Sequence, residues 1–179
     1  MKSYHKIENA MRELVKKKPF ETITVKMICQ HAGVSRKTFY SIYQDKYEVI
    51  ERIVISDVID ELKEMLNLIG DIELNQPIIL EKMYQHFYDE RDFYSKAMDI
   101  EGKNSLEHCL LYCFEEINLE LLKDVKITLL EKEYAAYFFA ASQVMLIKKW
   151  LLDGMVLTPQ EMAENYTKWA VLAMVKNYY

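Results

Sequence analysis

Glycine and proline are scarce in this sequence, at 4 and 3 of 179 residues. Turn-dense β architectures and glycine-rich phosphate loops draw on both, so their scarcity leaves a helical protein as the default. Three cysteines, Cys29, Cys109 and Cys113, are too few and too deep within helical patterns for a disulfide framework. No apolar run approaches the roughly 18 residues that a membrane span requires. The best stretch, Tyr134 to Ile147, carries Ser142 and Gln143 and ends at Lys148. The opening M-K-S-Y-H-K-I-E has no apolar signal-peptide stretch, so a soluble, cytoplasmic protein is expected. No two histidines form a His-x-x-x-His pair, no Ser-His-Asp arrangement is legible, and the carboxylates are spread over polar helix faces. An enzyme has no residues to rest on here, and neither cofactor nor metal is expected.

What the chain does have is a hydrophobic fraction of 51%, mostly at helical spacing, and a segregation of charge. Residues 1–52 hold 11 of the 23 Lys+Arg and 6 of the 28 Asp+Glu, a net of +5 that leaves −10 on residues 53–179. The overall charge of −5 hides this division. A cationic head on an anionic body directs phosphate to one end of the molecule and repels it from the other.

The first helix is expected over about Ser3 to Lys18, with Ile7, Ala10, Met11, Leu14 and Val15 on one apolar stripe. Lys16, Lys17 and Lys18 complement the negative end of its dipole, and Pro19 stops it. Asp45-x-x-Glu48 opens a long fourth helix whose stripe runs through Ile50, Ile53, Val54, Val58, Leu62, Met65, Leu66 and Ile69 to Gly70. Further helices are expected over about 77–90, 92–99, 105–123, 130–153 and 159–178, with a loop through Gly102 to Asn104. Thr158-Pro159-Gln160-Glu161 is a capping box with proline at the first helical position.

Between Thr24 and Lys46 the chain reads T-V-K-M-I-C-Q-H-A-G-V-S-R-K-T-F-Y-S-I-Y-Q-D-K. Thr24 is placed to cap one short helix, whose buried face is Val25, Ile28, Cys29 and Ala32. Gly33 supplies the left-handed residue that ends it, and Ser35 caps the next. Helix, three-residue turn, helix is the geometry that lays a second helix in the major groove. Arg36 and Lys37 at its tip can donate to guanine acceptors, while Thr24, Thr38, Tyr40, Tyr43 and Lys46 are placed to bond phosphates. The plain alternative is a helical hairpin with a solvated basic face.

The string Thr24…Ile28…Ala32-Gly33-Val34-Ser35-x-x-Thr38-Phe39-Tyr40-x-x-Tyr43-x-x-Lys46 resembles the N-terminal domain of the TetR family of transcriptional regulators. The resemblance implies an all-α fold of about nine helices. Residues 1–46 would form a helix-turn-helix domain and residues 47–179 a helical regulatory and dimerisation domain. It further implies a homodimer that grips a palindromic operator in double-stranded DNA and releases it when a small effector enters the body. By that resemblance Lys26, Arg36 and Lys37 face bases; Thr24, Thr38, Tyr40, Tyr43 and Lys46 face the backbone, and Ser35 belongs to the same DNA-binding set. Two departures stand out: Ile42 where many members carry histidine, and His31 where a small residue is frequent. F-Y-S-K-A-M at 93–98 and the segment Ala141 to Ala163 look like the branch related to the dihydroxyacetone-kinase operon regulator. Some members of that branch act as coactivators through a protein partner, which is the alternative to the expected repressor.

Tyr134, Ala135, Phe138, Phe139, Ser142, Met145 and Leu146 share a helix apolar nearly all round, as do Trp169, Ala170, Leu172, Ala173 and Val175 on the last. Such helices need cover on two sides, and a second copy is the expected cover, monomer core being the alternative. Tyr84, Phe87, Tyr88, Phe93, Tyr94, Tyr112, Phe114 and Tyr137 are candidates for an aromatic pocket, but no ligand residue is assigned. Cys109 and Cys113, with His108 and His86, are read as packing residues rather than as a metal or redox site.

Overall fold

The computed structural model describes residues 2–69, 77–100 and 105–175, and these form nine helices with no strand among them. α1 is Ser3–Lys17, followed by a 3-10 turn at Phe20–Thr22; α2 is Val25–Ala32 and α3 is Arg36–Tyr40. The fourth helix, α4, comprises Lys46–Val54, a wide π-helical turn at Ile55–Ile59, and Asp60–Ile69. α5 is Pro77–Asp89, α6 Arg91–Ala97, α7 Leu106–Leu121, α8 Leu129–Leu152 and α9 Pro159–Val175. The all-α architecture agrees with the expectation. The loop expected at Gly102 to Asn104, Gly70, and the end of the last helix lie outside the described residues.

Several boundaries have a local cause. Thr24, Ser35, Asp45 and Ser105 accept backbone N–H bonds as N-caps, and Gly33 closes α2 at φ 64° and ψ 39°. Thr158 and Glu161 exchange bonds as the sequence predicts, at 2.7 and 3.2 Å. A second box at Thr128 and Glu131, on a T-x-x-E signature, opens α8.

The head is built on α1, which packs against α2, α3, α4 and, on its other side, α6. Ile7, Met11, Ile28, Phe39, Val49 and Ile53 are fully buried there. In the body, α7 lies along α8 and α5 along α9. α4 joins the two units: its first half touches α7, and its π turn touches α5.

The π turn has a reason in spacing. Ile50, Val54, Val58 and Leu62 are all buried yet recur every four residues, so on a regular helix each step would overshoot by about 40°. One wide turn takes up part of that drift and keeps a single inward stripe.

Gly33 has left-handed backbone, and a β-carbon added to it meets nothing within 4 Å. Gly33→Ala therefore isolates conformational strain from crowding. Urea unfolding should register a loss of about 1–2 kcal/mol; an unchanged midpoint would mean that the turn does not depend on this conformation.

Candidate nucleic-acid interface

Around the tip of α3 the backbone is fixed by hydroxyls. Ser35 Oγ accepts from the Thr38 amide at 3.0 Å and lies 2.9 Å from Thr38 Oγ1. Ser41 Oγ donates to the Thr38 carbonyl at 2.8 Å. Thr24 Oγ1 accepts from the Met27 amide at 3.3 Å at the start of α2. Phe39 is the anchor: it is completely buried, and its ring meets Tyr40 edge-on at 5.4 Å.

Of the nine residues expected at the interface, Thr24, Lys26, Ser35, Arg36, Lys37 and Tyr40 are exposed, and Thr38 is half-buried beside them. Tyr40 stands 58% open, so its phenol projects from the face that carries Arg36 and Lys37. Ile42 and His31 are exposed as well.

Tyr43 is a correction. It is 3% exposed, and its hydroxyl donates to Glu8 Oε1 at 2.7 Å inside the head. Burial, reinforced by the hydrogen bond to the Glu8 carboxylate, pushes the phenol well above its ordinary value. The side chain points toward α1 because it lies four residues from Phe39 and shares its buried face, their rings 5.8 Å apart. Glu8 was not anticipated; it sits at the edge of the α1 stripe, next to Ile7, and only the tertiary contact reveals its partner.

Lys46 has a double character. Its ammonium donates to the Phe20 carbonyl at 2.7 Å and to that of Glu21 at 3.3 Å, and lies 4.2 Å from the Phe20 ring centroid. Partial burial lowers its pKa. Two of its three N–H donors thus tie α4 to the 3-10 turn, and one is left for solvent or an anion.

The body supplies different surfaces. Tyr134, Phe138 and Leu130 on α8 are 72%, 65% and 62% exposed, with Tyr137, Met145, Leu152 and Trp169 of α9 also open. Ala135, Phe139, Ser142 and Leu146 are half-buried. The expected apolar residues of α9 beyond Trp169 lie outside the described side chains. Of the aromatic candidates, Tyr84, Phe87, Phe93, Tyr94 and Phe114 are core, whereas Tyr88, Tyr112 and Tyr137 face outward. Tyr84 is notable because its buried hydroxyl has no hydrogen-bond partner among the described residues. Cys109 and Cys113 lie one turn apart on α7, and their mutual interaction holds the first thiol up and the second down. Among the described residues no three His, Cys, Asp or Glu side chains gather into a metal site, and no helix is long and apolar enough to cross a membrane.

A trihelical, cationic head with an exposed helix tip, carried on a helical body, defines a helix-turn-helix DNA-binding regulator. Residues 7–53 match the family described as bacterial regulatory proteins, tetR family, and residues 75–170 match a TetR-type transcriptional regulator C-terminal region. The chain belongs to the TetR family of transcriptional regulators, which are DNA-binding proteins rather than enzymes.

A relative is the uncharacterised HTH-type transcriptional regulator YxbF of Bacillus subtilis, 24% identical over 97% of this chain. This chain spans 45% of that protein's length. In fold it is similar to the dihydroxyacetone kinase operon activator DhaS, with a TM-score of 0.63, 21% identity, and 97% and 96% of the two chains covered. It is also similar to NalD, the secondary repressor of the MexAB-OprM multidrug efflux pump in Pseudomonas aeruginosa, with a TM-score of 0.65, 18% identity, and 91% and 92% covered.

The two tyrosines separate experimentally. Tyr43→Phe leaves the Glu8 carboxylate without its donor and should cost about 1–3 kcal/mol of stability. Tyr40→Phe should leave the unfolding curve unchanged while weakening DNA binding. The reverse pattern in paired melting and fluorescence-anisotropy measurements would contradict the orientation of both rings.

Proposed function

We propose that this protein is a homodimeric repressor that binds a palindromic operator and is released by a small effector held in its body. The observation that carries the reading is the pairing of two exposed surfaces on one chain. The head offers a rigid cationic tip, and α8 offers an apolar stripe with no cover in the monomer. The stripe from Leu130 through Tyr134, Phe138 and Met145 to Leu152 follows one helix face, which suits a self-complementary contact about a two-fold axis. Its exposed aromatics are the residue types that anchor such interfaces.

Within that reading Arg36 and Lys37 reach base edges, with Lys26 beside them. Thr24, Ser35, Thr38, Tyr40 and the free donor of Lys46 hold phosphates. Residues 1–46 act as the reading unit and residues 47–179 as the regulatory and dimerisation unit. The effector reading is supported by Tyr84: a buried, unpartnered hydroxyl costs about 1–3 kcal/mol, which a polar ligand group reaching it would recover. The Tyr84 ring meets Trp150 edge-on at 5.4 Å, so that hydroxyl lies among apolar rings. Regulation of transcription places the protein with the chromosome, in the cytoplasm.

Selection from a random duplex pool tests the reading. The recovered duplexes should be inverted repeats with half-site centres about 34–36 Å apart. Arg36→Ala should relax the base preference at one position of each half-site. Lys37→Ala should relax it at a neighbouring position. Phe138→Glu should raise the dimer dissociation constant about a hundredfold, since the charge enters the interface twice. A monomeric wild type in sedimentation, or a pool that shows no enrichment, would end the proposal. Copurification with a second DNA-binding protein, with only sequence-blind affinity alone, would favour the coactivator.

A further inference from the structure

Where head, linker and body meet, the structure gathers four polar side chains from four different helices. Arg12 lies on α1, Asp57 in the π turn of α4, His86 on α5 and Tyr94 on α6. Arg12 Nη2 donates to Asp57 Oδ2 in an ion pair whose side chains are only 17% and 22% exposed. Asp57 Oδ1 accepts from Ser56 Oγ at 3.1 Å. His86 Nε2 stands 3.9 Å from Asp57 Oδ2 and 3.0 Å from the Tyr94 hydroxyl, while the Arg12 guanidinium lies 5.5 Å from the Phe93 ring centroid. A second link between α1 and the body, Lys16 to Glu90 at 3.2 Å, is more exposed and correspondingly screened.

We propose that Arg12 and Asp57, backed by His86 and Tyr94, are positioning residues that set the angle of the DNA-reading head on the regulatory body. The inference rests on the dimeric, DNA-binding reading above and assigns the residues that fix the spacing of its two heads.

Three features of the geometry carry it. The pair spans the two units directly, from α1, on which the whole head is packed, to the helix that enters the body. It sits in the π turn, where the wider helical register brings Asp57 toward α1 and α5. And the cluster is incompletely satisfied: among the described residues Arg12 Nη1 is buried without a hydrogen-bond partner, and one histidine nitrogen faces both a carboxylate and a phenol. A buried polar network with an unmet donor is the kind that trades one arrangement for another at low cost, because the alternative gains the missing bond. A change in the body that shifted α5 or α6 would move His86 or Tyr94, and through Asp57 would alter the hold on Arg12.

Spacing preference is the readout, because general destabilisation leaves it unchanged. Moving the half-sites by one base pair shifts them by about 3.4 Å and turns them by about 35°. With duplexes selected on the wild type, a rigid head should lose about tenfold or more in affinity on such an insertion. Asp57→Asn should bind the selected duplex several-fold more weakly, keep wild-type affinity for an isolated half-site at low salt, and lose most of the discrimination against the shifted spacing. Tyr94→Phe, which deletes one oxygen and leaves the ion pair, should move in the same direction by less and serves if Asp57→Asn does not fold. The double variant Arg12→Gln with Asp57→Asn should behave as Asp57→Asn alone.

Folded variants that retain the wild-type spacing preference would overturn the assignment, as would equal losses on half-site and full duplex. If the wild type itself selects no spaced repeat, the dimeric regulator reading fails and this inference falls with it. That result is distinct from a wild type that discriminates and variants that do so equally well.

Discussion

A five-residue helix has no stability of its own, since nucleation fixes several dihedral angles before a single hydrogen bond repays it. α3 exists because Phe39 is buried without remainder against the rest of the head. Gly33 and Ser35 set its entry, Ser41 ties its last turn, and Tyr43 anchors the following segment to Glu8. Everything on the exposed side of α3 inherits its position from this burial. The consequence is functional: Arg36, Lys37 and Tyr40 are offered on a backbone already immobilised, so the ordering cost at a partner surface is confined to their side chains.

Lys46 and Tyr43 show how the same residue types divide between holding the head together and serving its exterior. Both occur in the signature that marks a groove-reading unit, and both are capable of bonding phosphate. In the folded chain Tyr43 is spent wholly on Glu8, and Lys46 mostly on two carbonyls of the 3-10 turn. Charge count alone therefore overstates what the head presents. The cations left at the tip of α3 are few, which in the proposed reading puts the weight of recognition on Arg36, Lys37 and hydroxyl donors rather than on a broad basic face.

Helix positions were legible because apolar spacing and capping residues agree at many boundaries, from Pro19 after α1 to the Thr158–Glu161 box before α9. The reading head was legible for the same reason. What escaped the sequence depends on partners distant in the chain. Glu8 lies 35 residues from Tyr43, and Arg12 lies 45 from Asp57. No local periodicity encodes such pairs. The π turn escaped too, because four-residue spacing along α4 looks like an ordinary stripe until its cumulative drift is compared with what is buried. Aromatic residues were the least legible: Tyr84 and Tyr112 look alike in sequence, yet one is fully buried and the other 60% exposed.

α4 has to serve head and body at once, through Val49 and Ile53 toward one end of a continuous core and Val58 and Leu62 toward the other. A straight, regular helix would satisfy one and rotate away from the other, so the chain accepts a wide turn between them. That turn also presents the Asp57 carboxylate to both units while the apolar stripe is kept. Placing a charged pair there rather than another isoleucine gives up packing that would hold more firmly, since a well-packed apolar contact is usually at least as stabilising as a buried ion pair. What a directional pair offers in exchange is a defined orientation between two bodies that apolar contact alone would let slide. In the dimeric reading proposed above, two heads have to match a fixed repeat on a rigid duplex, and orientation is then the quantity worth fixing.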